Sequence, residues 1–136
     1  MLFAGRLMNW RGVGLMLPGA PRPVYLNVSH HPLAETAAVA RLLRRTGAAL
    51  VPLVHDLSPI DWPEYVSTAE TLRHRRRLAT TASHASAVVA NSAATALISR
   101  PPLPEGLPLL PTPLADGRWR ALSFCASARS TRATTT

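Results

Sequence analysis

Short apolar runs along the chain predict buried strands at residues 24–28, 48–54 and 87–90. The run at 48–54 is almost continuously apolar, a pattern typical of a parallel strand covered on both faces. Six prolines between residues 101 and 113 predict an extended segment, with a short strand at Leu109 and Leu110. The pattern therefore predicts a largely parallel sheet.

Helices are predicted between these strands, at 33–45, 68–83 and 93–99. In the first, Leu33, Ala37 and Ala40 recur at helical spacing, and Gly47 is a natural stop. The inward-facing candidates of the second helix are Leu72, Leu78, Ala79 and Ala82. Strand, helix and strand follow one another as in a compact βαβ unit, whose crossover is expected to be right-handed.

The two ends of the chain differ from this pattern. Residues 1–23 have no clear period and are predicted to be an irregular leader. Arg6 and Arg11 interrupt the apolar run that a signal peptide needs, and no segment approaches the ~20 apolar residues of a membrane span. A cytoplasmic protein, or one peripheral to the inner face of the membrane, is therefore expected. Residues 116–136 lack apolar periodicity and are predicted to be disordered.

Charge and cysteine content narrow the class of the protein. Among the 136 residues there are 15 arginines, no lysine and seven acidic residues, which gives a formal net charge of +8. This bias fits GC-rich coding, but it also favours phosphate-bearing partners. Cys125 is the only cysteine, so an internal disulfide and a zinc site built on several cysteines are excluded.

Polar side chains follow two of the predicted strands. His55 and Asp56 follow the strand at 48–54, and Asn91 and Ser92 follow the strand at 87–90. Ligands of parallel α/β sheets bind beyond the carboxyl ends of the strands, so these four residues are candidate ligand contacts. For Asp56 the alternative is to cap the following turn, and for Ser92 it is to cap the following helix, which we consider the stronger interpretation of Ser92.

Two further polar segments are a histidine pair and a basic run. His30 and His31 end the first predicted strand, where a ligand role and a surface or capping role are equally open. No acidic or cysteine partners stand near them, so no metal site is predicted. The basic run 73–77 places Arg73, Arg76 and Arg77 on one side of a helix.

A solvated face is the leading interpretation of that basic run. Contact with a polyanion or a membrane surface is the alternative. Specific nucleic-acid binding is not expected, because no helix-turn-helix or aromatic-interleaved pattern is present.

Three segments resemble the N-terminal domain of a GT-B glycosyltransferase, of the large retaining family that uses nucleotide-sugar donors. They are YLNVSHHPL (Tyr25–Leu33), VPLVHDLSPIDWPEY (Val51–Tyr65) and VVANSAATALI (Val88–Ile98). The resemblance implies that residues 24–115 form a partial Rossmann-like parallel sheet with flanking helices, which is an α/β fold. This domain would be the acceptor-side half of the enzyme.

The resemblance also implies roles for individual residues. His55 would be catalytic, facing a sugar hydroxyl as a neutral imidazole. The substrate-binding residues would be His30, Asp56, Asp61, Asn91 and Ser92. Trp62 and Tyr65 would either stack on a sugar ring or pack the loop against the sheet, and packing is slightly favoured.

The same resemblance implies the partners. The acceptor would be a sugar or lipid-linked glycan, and the nucleotide-sugar donor would be a substrate held by a C-terminal domain, with no separate cofactor and no metal. The family's first strand, its glycine-rich loop and its donor domain have no counterpart in the 136 residues. The expectation is therefore a truncated glycosyltransferase that is inactive alone.

A frame shift would explain such a truncation. One codon choice for residues 124–136, translated in another frame, resembles the opening of the family's donor domain. The hypothesis is that the reading frame shifts near residues 120–123. The alternative function is a non-catalytic basic module that binds phosphate-bearing ligands or a separate donor domain.

Overall fold

The computed structural model describes residues 13–15, 22–29, 31–99 and 102–111, with backbone alone for 13–15 and for Ile98. Within these residues the sheet has five strands: β1 Val13–Leu15, β2 Val24–Asn27, β3 Ala49–Val54, β4 Val88–Ala90 and β5 Leu109–Pro111. They are arranged in sequence order, with β2 to β5 parallel and β1 antiparallel to β2. Helices flank the parallel strands, so the predicted α/β fold is confirmed.

The helices of the described chain are α1 Thr36–Thr46, α2 Ser58–Asp61, α3 Thr68–His84 and α4 Ala93–Ser99, with 3-10 turns at Pro32–Ala34 and Pro63–Tyr65. The helix predicted from residue 33 begins later because a 3-10 turn opens the segment. Short helical turns also occupy the segment predicted as a loop after β3. Both 3-10 turns and α2 carry a proline in their first two positions, where the missing N–H would have no partner within the helix.

The C-terminal stop of α1 follows the prediction. Gly47 has a φ of 65°, the left-handed conformation that glycine adopts without steric cost. Its N–H donates to the Leu43 carbonyl at 2.9 Å, which satisfies one of the orphan carbonyls of the last turn. This turn lets the chain reverse directly from α1 into β3.

The parallel strands follow one another across the sheet without a reversal of order. Successive right-handed crossovers in one direction place their helices on the same face. The hydroxyls of Thr36 in α1 and Thr80 in α3 lie 2.6 Å apart, as expected for neighbouring helices on one face. The described strands contain no topological switch point, so a ligand edge must be identified from its side chains.

Hydrophobic residues fill both sides of the central strand. On the helix-covered side, Leu50 packs with Tyr25, Leu33 and Val39. The next residue, Val51, faces the opposite side. Both Leu50 and Val51 are fully buried, which confirms the two-sided burial predicted for this apolar run.

The buried face of α3 differs from the prediction. Leu78 is buried and Ala82 packs partly against the core, but Leu72 is 50% exposed and Ala79 is also exposed. The buried polar residues of this helix are Thr71, His74, Arg77, Thr80 and Thr81. The helix is oriented by polar partners on neighbouring elements, which a search for apolar periodicity does not detect.

The leader contains one regular element. Val13–Leu15, in the segment predicted to be irregular, forms β1 and pairs antiparallel with β2. Without this strand, the outer backbone groups of β2 would be unpaired. The segment predicted to be disordered, 116–136, lies outside the described residues. No helix in the described parts of the chain is long and apolar enough to cross a membrane.

Candidate functional site

The carboxyl ends of three parallel strands meet at one edge of the sheet. The segment after β2 contributes Val28, the segment after β3 contributes His55, and the segment after β4 contributes Asn91. Nε2 of His55 lies 3.4 Å from the Val28 carbonyl oxygen. The Asn91 N–H donates to the carbonyl of Val54 at 3.3 Å. The predicted convergence of the strand ends therefore brings His55 and Asn91 to neighbouring positions.

The imidazole of His55 is partly exposed. Because a carbonyl oxygen can only accept, the contact with Val28 requires the proton on Nε2. In the neutral ring Nδ1 is then the nitrogen that accepts hydrogen bonds.

A chain of hydroxyl groups ties α4 to the end of β3. Oγ of Ser92 donates to Oγ1 of Thr95 at 3.0 Å, and Oγ1 of Thr95 donates to the His55 carbonyl at 3.2 Å. Ser92 Oγ also accepts from the Thr95 N–H at 3.0 Å, which is the capping role that the sequence predicted. Thr95 is buried and holds the backbone of His55, a function that the sequence analysis missed. The signal for it was a second hydroxyl residue three positions after the cap.

Asn91 supplies an acceptor at the same edge. Its Oδ1 is buried, and no donor within the described part of the chain reaches it. An unsatisfied buried acceptor costs roughly 1–3 kcal/mol, and a donor group recovers that free energy once a local rearrangement of the edge opens Oδ1 to it. A sugar hydroxyl or an amine can supply such a donor, whereas the unprotonated oxygens of a phosphate cannot.

Asp56 has a local structural role. Its Oδ1 accepts from the Ser58 N–H at 3.0 Å, so the carboxylate caps the first turn of α2 as the alternative interpretation predicted. The backbone of Asp56 is hydrogen-bonded by His74 of α3. Asp56 thus fixes the start of the loop beside His55.

The remaining predicted contacts are placed differently. Asp61 is exposed at the end of α2, on the loop that leaves the edge. His31 is exposed and begins the 3-10 turn after β2. His30 lies outside the described residues. The residues that form hydrogen bonds at the edge are therefore His55, Asn91, Ser92 and Thr95, and Asp56 follows His55 in the chain.

A buried polar cluster on α3 supports the loop after β3. Arg77 is only 8% exposed and donates through NH1 to Oε1 of Glu70 at 2.8 Å, while Arg73 donates to Oε2 of the same carboxylate. Nε of Arg77 has no acceptor among the described residues. The chain therefore holds a buried guanidinium against one partly exposed carboxylate.

Two titratable groups of this cluster are perturbed. Burial lowers the pKa of His74 below its ordinary value of 6.5, and the charge of Arg77 lowers it further, against the opposing effects of Asp56 and Glu70. Burial acts to raise the pKa of Glu70, but Arg77, Arg73 and His74 outweigh it and bring that pKa below 4.5. The stable charge states near pH 7 are a neutral His74 and an ionised Glu70.

The basic run 73–77 is only partly the solvated face that the sequence predicted. Arg77 is buried, and Arg73 is paired with Glu70, although half of its side chain remains exposed. Arg76 is exposed. Glu70 lies three positions before Arg73 and seven before Arg77, so one carboxylate offsets charge on both.

The aromatic residues of the loop are not packed against the sheet. Trp62 is 59% exposed and Tyr65 is 81% exposed, so the preference for packing was wrong. The loop is anchored instead by Leu57, which is buried under α3, and by Ile60, which packs against the same cluster. Both aromatic rings are therefore presented to solvent by a supported turn.

Neither a metal-binding cluster in the described residues nor a match to a known protein indicates what the site does. In the described segments, no group of three or more His, Cys, Asp or Glu side chains is arranged to hold a metal ion. Comparisons with protein-family models, curated proteins and solved structures gave no match to this chain. The chemistry of the site is therefore argued from its own residues.

Proposed function

We propose that the carboxyl edge of the sheet binds a sugar hydroxyl and forms the acceptor-side wall of a glycosyl-transfer site. The observation that carries the proposal is the group of polar residues at this edge. His55 and Asn91 lie at neighbouring strand ends, and Oδ1 of Asn91 accepts no hydrogen bond from the described residues. Ser92 and Thr95 fix the backbone beneath them. A sugar presents several hydroxyls, each able both to donate and to accept.

The polarity of the group favours a hydroxyl ligand over a phosphate. Asn91 Oδ1 is an acceptor, and the His55 tautomer that donates from Nε2 to the Val28 carbonyl presents Nδ1 as its acceptor. A phosphate would bring further acceptor oxygens to these acceptors. Arg73 and Arg77 of α3 are both paired with Glu70, so the pair supplies little free positive charge for a phosphate.

The resemblance of Tyr25–Leu33, Val51–Tyr65 and Val88–Ile98 to GT-B glycosyltransferases supplies the reaction. In such a transfer a bond forms between the anomeric carbon and the acceptor oxygen, while the bond from that carbon to the nucleoside diphosphate breaks. The acceptor hydroxyl loses its proton during the transfer, and the departing nucleoside diphosphate takes that proton up. We assign to His55 the hydrogen bond with that hydroxyl, and to Asn91 the positioning of a neighbouring one.

Sugar binding by the chain itself tests the proposal. The probes are the methyl glycosides of glucose, galactose, mannose and N-acetylglucosamine, titrated into the ¹⁵N-labelled chain and followed by NMR. We expect shifts at the amides of His55 and Asn91 for at least one glycoside. Loss of one hydrogen bond costs about 1–1.5 kcal/mol, so Asn91→Ala should weaken binding roughly 5- to 10-fold.

Matched variants separate hydrogen bonding from general damage. Asn91→Asp keeps an acceptor at the same place and should bind more tightly than Asn91→Ala. Arg41→Ala changes an exposed residue on α1 and should leave affinity unchanged. If none of the four glycosides shifts the amides at this edge, or if they bind His55→Ala and Asn91→Ala as tightly as the unmodified chain, the proposal is wrong.

A further inference from the structure

Three exposed large hydrophobic residues lie in the segments that follow β2 and β3. Among the described residues, five large hydrophobic side chains are exposed: Val28, Trp62, Tyr65, Leu72 and Leu97. Val28 contacts His55 through its carbonyl, and Trp62 and Tyr65 stand on the loop that starts at His55. Both aromatic rings are mostly open to solvent in a chain whose aromatic content is only 5%.

The loop that carries these rings has a charge opposite to that of the chain. Residues 55–67 contain Asp56, Asp61 and Glu64 and no arginine, so three of the seven acidic residues lie in this short segment. Asp61 and Glu64 are exposed beside the rings. Carboxylates accept from hydroxyl groups and repel phosphates and anionic lipids.

The loop is also held in a fixed shape. Asp56 caps α2, and the Trp62 N–H donates to the Ser58 carbonyl at 2.8 Å. The 3-10 turn at Pro63–Tyr65 follows at once, and α2 packs against α3. Because the backbone of the loop is already ordered, less conformational entropy is lost when a ligand binds to it.

We propose that Trp62 and Tyr65, with Asp61 and Glu64, form a subsite for the apolar face of a pyranose ring of the acceptor. This inference rests on the proposed function, because it extends the same site along the loop. The rings would cover the C–H face of the sugar, and the two carboxylates would accept from its equatorial hydroxyls. The occupant is a neutral glycoside, because the local charge disfavours a phosphate or an anionic membrane surface.

The indole signal of Trp62 provides a direct test. In the ¹⁵N-labelled chain, Trp62→Phe identifies that signal, and the indoles of Trp10 and Trp119 serve as references. Titration with the four methyl glycosides should shift the Trp62 indole together with the amide of Asn91. An aromatic contact is worth about 0.5–1.5 kcal/mol, so Trp62→Ala should weaken binding by roughly 3- to 10-fold.

The control variant is Leu97→Ala, which removes another exposed large side chain outside the loop and should leave affinity unchanged. Amide spectra of each variant establish that it is folded. Tyr65→Ala should weaken binding in the same direction as Trp62→Ala. Trp62→Tyr should retain most of the affinity, because it keeps an aromatic face.

The outcomes separate this inference from the proposed function. If binding is weakened by Asn91→Ala but not by Trp62→Ala or Tyr65→Ala, the aromatic subsite is refuted and the acceptor edge stands. If no glycoside binds, both proposals fall. If the Trp62 indole responds to inorganic phosphate or to phosphatidylcholine vesicles and not to the glycosides, the loop serves a different ligand and the subsite is refuted.

Discussion

Replacing Glu70 by Gln tests the buried polar cluster on α3. The change removes one negative charge and keeps the shape of the side chain. Arg77 then remains buried at 8% exposure without a counter-charge, although the amide oxygen can still accept its hydrogen bond. Glu70→Gln should therefore destabilise the fold through charge alone.

The magnitude follows from the geometry of the pair. Unit charges about 4 Å apart interact by about 4 kcal/mol at an effective dielectric constant of about 20. The side chain of Glu70 is 31% exposed, so solvent screens a substantial part of that energy. We expect a loss of about 2 kcal/mol in the free energy of unfolding, which corresponds to roughly 6 °C in Tm.

Urea unfolding followed by circular dichroism at neutral pH measures the loss. Arg73→Gln is the matched control: it removes the other ion pair of Glu70, but from a half-exposed side chain, and should cost less than about 0.5 kcal/mol. Adding Arg77→Met to Glu70→Gln should restore stability, because it removes the unpaired buried charge. Equal costs for Glu70→Gln and Arg73→Gln, or no recovery in the double variant, would refute the reasoning.

Three further predictions concern the core, the cap and pH. The free energy of unfolding should fall as the pH drops below about 6.5, by at most about 1.4 kcal/mol per pH unit, because the pKa of His74 is lowered in the folded chain and the unfolded chain therefore binds the proton first. Urea titrations at several pH values should show a shallower dependence of this free energy on pH in His74→Asn. An unchanged dependence would contradict the reasoning. The lowered pKa of Glu70 makes the free energy of unfolding fall in a separate range, below pH 4.5. Leu50→Ala should cost about 3 kcal/mol in urea unfolding, since Leu50 is fully buried; a cost under about 1 kcal/mol would mean that the site collapses. Ser92→Ala should cost about 1 kcal/mol and Ser92→Asn much less, because Asn can also accept from the Thr95 N–H; equal losses would exclude the cap as the cause.

The sequence by itself determined the order of the parallel strands β2 to β5, the positions of α1, α3 and α4 between them, and the α/β class. The burial of both faces of β3 could be predicted because Leu50 and Val51 are both apolar, so neither face of the strand favours contact with water. The end of α1 at Gly47 could be predicted because glycine adopts a positive φ at little cost. The position of His55 and Asn91 at one edge followed from parallel strands, whose carboxyl ends meet.

Tertiary structure alone decided which polar residues are buried. Arg77 and His74 belong to a run that looks like a solvated face, and they are buried because Glu70 and the backbone of Asp56 supply partners there. Trp62 is exposed although aromatic residues usually pack, because Leu57 already anchors its loop. Hydrophobic periodicity is a property of one element, whereas burying His74 against the backbone of Asp56, or anchoring a loop through Leu57, requires residues from several elements, and only the folded chain brings those together.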